Sequence, residues 1–447
     1  MAAFAAVSFA EGITFGAWLR ALAAPVANNG DETITAASNS WGGAARVGGL
    51  DIIGTAPDGN AGFKMSYRNN ADKSIDHGDE ANLWVKPLDI VKVSYGYYDN
   101  NTLRGDVCLG SWNWMRPTSA WIAGDEGLLM SGNGGTGLLA EITPMEGLYI
   151  QALVPITDKN VKAGTTYKNL RGGFAYTVPG LVKIKGQYIG KGASSTDGTP
   201  AKAATTGKWT DPDGNELAAA PTGADTPTGY ADALAAGYTY TAGTPAVAAK
   251  DGTDGNSDCT LEAEVDVLAV EGLFAGVGFQ YNIVKDGDDK EADTTGLTDP
   301  MDIVNAEVNG KQKMKIAAGA SYQVMPELKV TANGAFFTYY KAGDVKIDPR
   351  FQAGVGVDYD LGDGLAANAD FRYKSPIKVD GEKADNTDSI AFSVGLTKNV
   401  SSNGYIGVAF QGTTNSGSLA GVKGVANDDG EYKNFVWAVP VALSVWF

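Results

Sequence analysis

Residues 435–447 read FVWAVPVALSVWF. Every second side chain of this stretch is apolar, from Phe435 to Phe447, which gives an extended strand one unbroken hydrophobic face. Pro440 departs from a regular strand, because proline cannot donate to a strand ladder and is confined to edges and bulges. The stretch therefore predicts a β-strand with one wholly apolar face and imperfect pairing at Pro440.

The same alternation recurs in pairs along the rest of the chain. In each pair, two alternating runs meet across a short turn of Pro, Gly, Asp, Asn or Ser, which are the residues of tight hairpins. The pairs occupy 45–68, 83–98, 138–154, 174–190, 261–281, 313–337, 351–373 and 389–410. Single strands at 13–23 and 433–447 bring the total to about 18, with about 16 as the alternative, and an even number lets the first strand pair with the last.

Long polar segments separate these pairs. Short and long connections alternate, as they do in an up-and-down antiparallel barrel that has its turns at one end and its surface-exposed loops at the other. The long segments occupy 24–44, 69–79, 99–136, 156–172, 191–259, 285–311, 340–349, 375–388 and 413–432.

Apolar and charged residues fall on opposite faces of the predicted strands. In 327–337, Leu328 and Val330 share one face and Lys329 and Thr331 share the other. Strands of this length suit a tilted crossing of a bilayer. A soluble β-sandwich would show the same alternation, so the stronger sign of a membrane barrel is the strand number with short turns at one end. Aromatic residues near strand ends match an interfacial girdle; they are Tyr95, Tyr97, Tyr98, Tyr281, Phe336, Phe337, Tyr339 and Tyr340.

Composition argues against several other classes of protein. No run reaches the roughly 20 apolar residues that a membrane helix needs. The single His and the two Cys argue against a His-based catalytic site, a multi-His metal site and a Cys-rich zinc module. The formal net charge of −17 argues against a nucleic-acid partner. His77 lies in the acidic segment SIDHGDE, interpreted as a short loop, and no nucleophile motif accompanies it, so the sequence predicts no enzyme and no cofactor.

The apolar strand 435–447, which ends on an aromatic residue, resembles the closing strand of bacterial outer-membrane β-barrels. In that family the barrel-insertion machinery reads this strand, which makes Phe447 the expected assembly signal, and the strand pairs with the first one. The strand number and loop order resemble those of the general diffusion porins. The resemblance implies a water-filled channel for passive diffusion of small hydrophilic solutes and ions in outer-membrane lipid. It also implies a homotrimer and periplasmic termini.

The third long segment, 99–136, is the expected constriction loop, because in general porins the third loop folds into the barrel and narrows it. The loop holds Trp112, Trp114 and Trp121, whose exposure to solvent would be costly. Packing against the barrel wall or another subunit is one interpretation. Lining a sugar path is the other, and it would make the protein a sugar-selective channel.

The charged faces of the strands would line the lumen, where rings of charge set ion preference. Basic residues outnumber acids on the faces assigned inward, which predicts a weak anion preference with the acids of the third loop opposite a basic wall. The candidate lining and constriction residues are Arg20, Lys64, Arg68, Lys92, Arg104, Arg116, Asp125, Glu126, Lys183, Lys185, Glu262, Glu264, Lys313, Lys315, Lys329 and Arg372.

The sequence is also compatible with two functions other than a channel. One is a major surface protein acting in adhesion or as a structural coat of the outer membrane. The other is a soluble, acidic β-solenoid or lattice protein. A chain that purifies as a monomer without detergent would be the soluble protein rather than a barrel, and electrophysiology separates a channel from a coat.

The N-terminal segment has the character of an export signal. Residues 1–10 are small and apolar and end Ser-Phe-Ala before Glu11, as at a signal-peptide cleavage site, although no basic segment precedes them. We interpret 1–10 as a signal-peptide remnant and 11–447 as a single barrel. An ordinary buried strand at 1–10 is the alternative.

The fifth long segment, 191–259, is large and of low complexity, as a surface excursion or a contact site for a phage, an antibody or a host would be. A disulfide between Cys108 and Cys259 would tie it to the third loop, and two free thiols are the alternative. Its Asp-Gly runs are interpreted as solvated acidic turns, with Ca²⁺ ligation as a weaker interpretation. The Ca²⁺ candidates are Asp211, Asp213, Asp251 and Asp254.

Overall fold

The computed structural model describes residues 7–10, 12–38, 46–69, 75–99, 102–105, 130–156, 163–192, 208–221, 227–241, 258–283, 312–339, 341–342, 345–346, 348–379, 381–383, 388–414, 418–419, 422–423 and 435–447. The chain divides into two compact units. One combines Met1–Gly192 with Ser257–Phe447, and the other is Ala193–Asn256.

The first unit is a closed antiparallel barrel of 18 strands. Each strand pairs with the next along the chain, and the last pairs with the first, from Trp446 opposite Trp18 to Trp437 opposite Asn28. The predicted up-and-down barrel of about 18 strands is therefore confirmed. In chain order the strands are β1 (Ile13–Asn28), β2 (Arg46–Thr55), β3 (Ala61–Asn69), β4 (Ile75–Leu88), β5 (Val91–Tyr98), β6 (Gly135–Met145), β7 (Leu148–Val154), β8 (Arg171–Val178), β9 (Val182–Gly190), β10 (Cys259–Val267), β11 (Leu273–Ile283), β12 (Gln312–Met325), β13 (Leu328–Tyr339), β14 (Arg350–Gly362), β15 (Leu365–Lys374), β16 (Ser389–Ser401), β17 (Gly404–Thr414) and β18 (Phe435–Trp446).

All eight predicted hairpins are present, but two predicted loop boundaries are wrong. β1 continues to Asn28, and Thr33–Ser38 pairs back onto it, so much of the first predicted loop is strand. β4 begins at Ile75, so His77 is an exposed strand residue rather than a loop residue. Both errors have one cause. Where a strand extends past the apolar zone, neither of its faces needs to be apolar, and the alternation that marks strands disappears.

The barrel is apolar outside and polar inside. On β10, the side chains of Leu261 and Val265 are exposed, whereas Glu262 and Glu264, which alternate with them, are buried on the inner wall. Closure of the barrel gives the backbone groups of the first and last strands hydrogen-bond partners, as a bilayer requires. The apolar outer surface is stable in contact with lipid. The first unit is thus a transmembrane β-barrel.

The predicted aromatic girdle is only partly correct. Tyr95, Tyr97 and Phe336 are exposed on the outer face, but Tyr98 and Phe337 are buried on the inner wall. Adjacent residues of a strand point to opposite faces, so the members of a Tyr-Tyr or Phe-Phe pair cannot both face lipid.

The junction of β1 and β18, here called the seam, contains the predicted irregularity at Pro440. Ala23 pairs with Val441 and Val26 pairs with Val439, so two residues of β1 stand opposite Pro440 in a β-bulge. Beyond the bulge the ladder continues to the last residue. There, Phe447 and Ala17 exchange two backbone hydrogen bonds of 2.7 and 2.9 Å.

The other described elements of the first unit are short. The strand Val7–Ala10 pairs with the start of β1, and α1 spans Ala163–Lys168. Among the described residues, no helix is long and apolar enough to cross a membrane. Three small hairpins lie in the long connections; they are Lys341–Ala342 with Val345–Lys346, Lys378–Val379 with Glu382–Lys383, and Ser418–Leu419 with Val422–Lys423.

The second unit, Ala193–Asn256, falls within the segment predicted as a low-complexity loop. Lys208–Thr210 pairs with Thr239–Thr241, and α2 spans Pro227–Ala235. Trp209 and Ala233 are the buried residues of its small core. This part of the chain therefore contains a folded module.

Candidate channel interior

Both ends of the third long connection lie against the inner wall of the barrel. The described ends are 102–105 and 130–134, and the backbone N–H of Gly105 donates to the Met130 carbonyl at 2.7 Å, which joins the two ends. Because their contacts are with inward-facing side chains, both described ends lie inside the barrel. Residues 106–129 lie outside the described part of the chain.

Glu262 of β10 holds the second of these ends. Its carboxylate accepts hydrogen bonds from the Ser131 backbone N–H at 3.0 Å and from the Ser131 hydroxyl. The side-chain amides of Gln187 and Gln280 donate to the same carboxylate, and the Gln187 amide also donates to the Ser131 carbonyl at 2.8 Å. Hydrogen bonds to an ionised acceptor are about twice as strong as neutral ones. Glu262 is therefore the main polar anchor of residue 131.

Lys185 of β9 holds the first end. Its ammonium group donates to the Arg104 carbonyl at 3.2 Å and pairs with Glu264 at 2.7 Å and with Asp266 at 3.7 Å. These three charged side chains are at most 1% exposed. Each of these buried charges is stabilised by its ion-pair partners, because an unpaired ion is strongly disfavoured away from water.

Apolar contacts reinforce the two polar anchors. Leu103 and Met130 are fully buried and pack with Ala175 and Tyr149 of the inner wall. The wall has a glycine beneath Leu103, and a Cβ at Gly173 would clash first with the Gly186 carbonyl oxygen and would also lie 2.7 Å from the Leu103 Cδ1 atom. The small residue at 173 thus allows the loop to lie close to the wall.

The first strands carry a separate group of charges around Trp18. The guanidinium carbons of Arg20 and Arg68 lie 4.4 and 5.2 Å from the Trp18 ring centroid, within the range of cation–π attraction. Arg68 also pairs with Asp51 at 3.2 Å and with Asp79 at 2.7 Å. The described contacts therefore balance the charge of Arg68.

Sequence reasoning missed several inward acids that pair with predicted basic residues. Lys64 pairs with Glu80, and Lys92 pairs with Glu141 at 2.8 Å. Lys92 and Glu141 are direct register partners on β5 and β6. Opposite charges on adjacent predicted strands could therefore have indicated this ion pair from the sequence. The excess of basic residues inferred from sequence is smaller once these acids are counted.

A second loop segment also covers the inner wall. The hairpin Ser418–Leu419 with Val422–Lys423, here called the seam hairpin, buries Leu419 and Val422 to at most 1% exposure. These side chains join an apolar cluster on the inner side of the seam, which includes Leu22, Ala24, Val436, Ala438 and Ala442. The inner wall is thus apolar here, beneath the hairpin.

We expect Leu419→Asp to detach the seam hairpin from the wall and to raise single-channel conductance. A carboxylate in this cluster would have no charged partner among the described members, and its desolvation costs several kcal/mol. Leu419→Met, which conserves volume, is the control and should conduct as wild type does. Equal conductance of all three proteins in planar bilayers would show that the hairpin does not limit flow.

The structure places most of the candidate lining residues on the inner wall or beside it. Lys313 is in β12, but its side chain is outside the described atoms. Arg116, Asp125, Glu126, Trp112, Trp114 and Trp121 also lie outside the described residues. Those with inward positions are Arg20, Lys64, Arg68, Lys92, Lys183, Lys185, Glu262, Glu264, Lys315, Lys329 and Arg372, and the carbonyl of Arg104 contacts Lys185 from the loop.

The remaining predicted sites are the disulfide and the Ca²⁺ ligands. Cys259 is buried and forms no disulfide with another described residue, and Cys108 lies outside the described residues, so the proposed bridge stays a prediction. The Asp211 carboxylate accepts the Asn215 backbone N–H at 2.8 Å and the Asp213 backbone N–H at 3.0 Å. Hydrogen bonds from the Asn215 backbone and side chain lower the Asp211 pKa, so this carboxylate acts as a turn acceptor. Asp251 and Asp254 lie outside the described residues; within the described ones, no cluster of three or more His, Cys, Asp or Glu is placed to hold a metal ion.

Comparison with solved structures finds porins and other outer-membrane proteins at low sequence identity. The anion-selective porin from Comamonas acidovorans is 12% identical over 97% of this chain and 99% of that one, with a TM-score of 0.45. Salmonella typhi OmpF in complex with daunomycin is 12% identical over 99% and 100%, with a TM-score of 0.47. The outer-membrane expressed OmpT of Vibrio cholerae is 10% identical over 99% and 100%, with a TM-score of 0.41. No protein-family model and no curated protein matches the chain.

Identities and TM-scores this low do not identify a family, so the class of the protein rests on its own geometry. A closed barrel of 18 antiparallel strands, apolar outside and polar inside, is of the kind that spans bacterial outer membranes. The membrane-spanning, up-and-down β-barrel predicted from the sequence is confirmed at the level of the fold.

Proposed function

We propose that the protein is an outer-membrane porin, a water-filled channel through which small hydrophilic solutes and ions diffuse passively, and that it has no enzymatic activity. The observation that carries the proposal is the attachment of both ends of the third connection to the polar inner wall. Barrels of about 16 to 18 strands are wide enough to hold an aqueous channel. A segment that lies inside such a barrel narrows it and so limits the size of the solute.

The charges of the inner wall support a weak anion preference. On the wall from β3 to β10, Lys64, Lys92 and Lys185 each have an acidic partner. On β14 and β15, Arg350 and Lys374 form no ion pair with any described residue. Arg350 and Lys374 therefore give the adjacent ends of β14 and β15 a local positive charge, which favours anions near it.

We further propose that the barrel assembles as a homotrimer through the outer wall at the seam. Leu19, Leu443 and Val445 are exposed apolar residues of this face, and Phe15 and Ala17 belong to the same strand as Leu19. Native mass spectrometry in detergent should show three copies. A monomer as the only species would reject the trimer without affecting the channel.

Liposome swelling tests passive diffusion directly. Liposomes that contain the purified protein should swell in neutral sugars, and the swelling rate should fall steadily as the sugar becomes larger. A rate that saturates for one sugar would instead favour a sugar-selective channel. No swelling in any solute would favour a coat or adhesin role.

A further inference from the structure

Two basic side chains lie next to each other on the inner wall at the loop end of the barrel. Arg350 is the first residue of β14 and Lys374 is the last residue of β15. Gln352 is the register partner of Lys374 and lies two residues from Arg350, so strand alternation puts all three side chains on one face. That face is the inner one, because Arg350 is paired with the buried, inward residue Phe337.

Neither basic group has an acidic partner in the described part of the chain. The guanidinium carbon of Arg350 lies 5.3 Å from the centroid of the Phe337 ring, and its Nε atom has no hydrogen-bond partner among the described residues. Lys374 has no described ion pair, and the charge that acts on it is that of Arg350. This arrangement contrasts with Lys185, which has two carboxylate partners.

A pair of like charges that is partly removed from water is unfavourable unless an opposite charge approaches it. Gln352 is adjacent to both basic residues, its side chain is 2% exposed, and its amide oxygen has no hydrogen-bond partner among the described residues. Rotation of a side-chain amide by a half turn exchanges its oxygen and nitrogen, so Gln352 can present two N–H donors to an acceptor. The three side chains together offer two positive charges and a neutral donor.

We propose that Arg350, Lys374 and Gln352 form a binding subsite for a small oxyanion, such as a phosphate or carboxylate group, at the loop end of the barrel. The guanidinium fork matches two oxygens of such a group, and the ammonium adds a compact charge. The Phe337 ring supports the guanidinium from behind. The inference deepens the proposed channel function, because the subsite would concentrate anionic solutes where they enter.

Isothermal titration of the detergent-purified protein with inorganic phosphate tests the subsite without any need for conduction. Wild type should bind phosphate, and Arg350→Gln and Lys374→Gln should each weaken binding by about ten-fold or more. Lys208→Gln, which removes the same charge from an exposed ion pair with Glu216, is the matched control and should bind as wild type does. Titration with acetate and with phosphate shows which oxyanion is preferred.

Equal phosphate affinity of wild type and both inner-wall variants, or no binding by wild type, would overturn the subsite. Phosphate added to one side of a planar bilayer gives an independent readout. It should reduce chloride current through wild type more than through Arg350→Gln. A protein that binds phosphate but passes no current would retain the subsite and refute the channel, so the two proposals can fail separately.

Discussion

Glu262→Ala should release the Ser131 end of the third connection from the wall and raise single-channel conductance. The substitution leaves the Ser131 N–H and hydroxyl and the amides of Gln187 and Gln280 without their shared acceptor. Loss of charge-assisted hydrogen bonds in a buried site is expected to lower the free energy of unfolding by about 2–4 kcal/mol. Planar-bilayer recordings measure the conductance, and thermal unfolding in detergent measures the stability.

Thr260→Val is the matched control for this experiment. Thr260 is buried on the same face of β10, two residues before Glu262, and its hydroxyl donates to Asn282 rather than to the third connection. The control should lose about 1 kcal/mol of stability and keep wild-type conductance. If Glu262→Ala also conducts as wild type does, the described end of the loop does not restrict the channel.

Lys185→Met should be among the most destabilising single substitutions in the barrel. It leaves Glu264 and Asp266, both at most 1% exposed, as buried carboxylates without the ammonium group, at an expected cost of about 3–5 kcal/mol. Lys92→Met is the comparison, because the Lys92 side chain is 38% exposed in its pair with Glu141, and water screens the loss to about 1 kcal/mol or less.

A second substitution separates this electrostatic effect from lost packing. In the Lys185→Met background, Glu264→Gln removes one of the two carboxylate charges that pair with Lys185 in the wild type and should recover part of the stability. Thermal unfolding in detergent measures all four proteins. If the double variant is no more stable than Lys185→Met, or if Lys185→Met and Lys92→Met are equally stable, the buried ion pairs do not stabilise this part of the wall.

The barrel could be predicted from sequence because its two determinants are local. Side-chain alternation fixes which face of a strand meets lipid, and Pro, Gly, Asp and Asn fix the turns. Prediction failed where a strand extends past the membrane, as at His77, since neither face must then be apolar. It also failed at Phe337, where composition suggested a girdle but the strand pleat directs the side chain inward.

The inward position of residues such as Lys185 was predictable for the same reason, but their partners were not. Ser131 and Glu262 are 131 residues apart in the chain, and no pattern in one sequence indicates that they meet. Leu419 and Val422 stand in a polar, Gly-rich run that resembles an ordinary surface loop, and only the fold shows that they cover the seam. Pairing at long range depends on closure of the whole sheet, which local pattern does not encode.

Conductance of the purified protein in planar lipid bilayers tests the central claim most directly. A porin of this kind should give stepwise current increases on insertion, with steps of uniform size that are larger for Glu262→Ala, and a small reversal potential of anion-selective sign under a salt gradient. Absence of any conductance after verified insertion would contradict the channel function, and clear cation selectivity would contradict the anion preference inferred from the inner-wall charges.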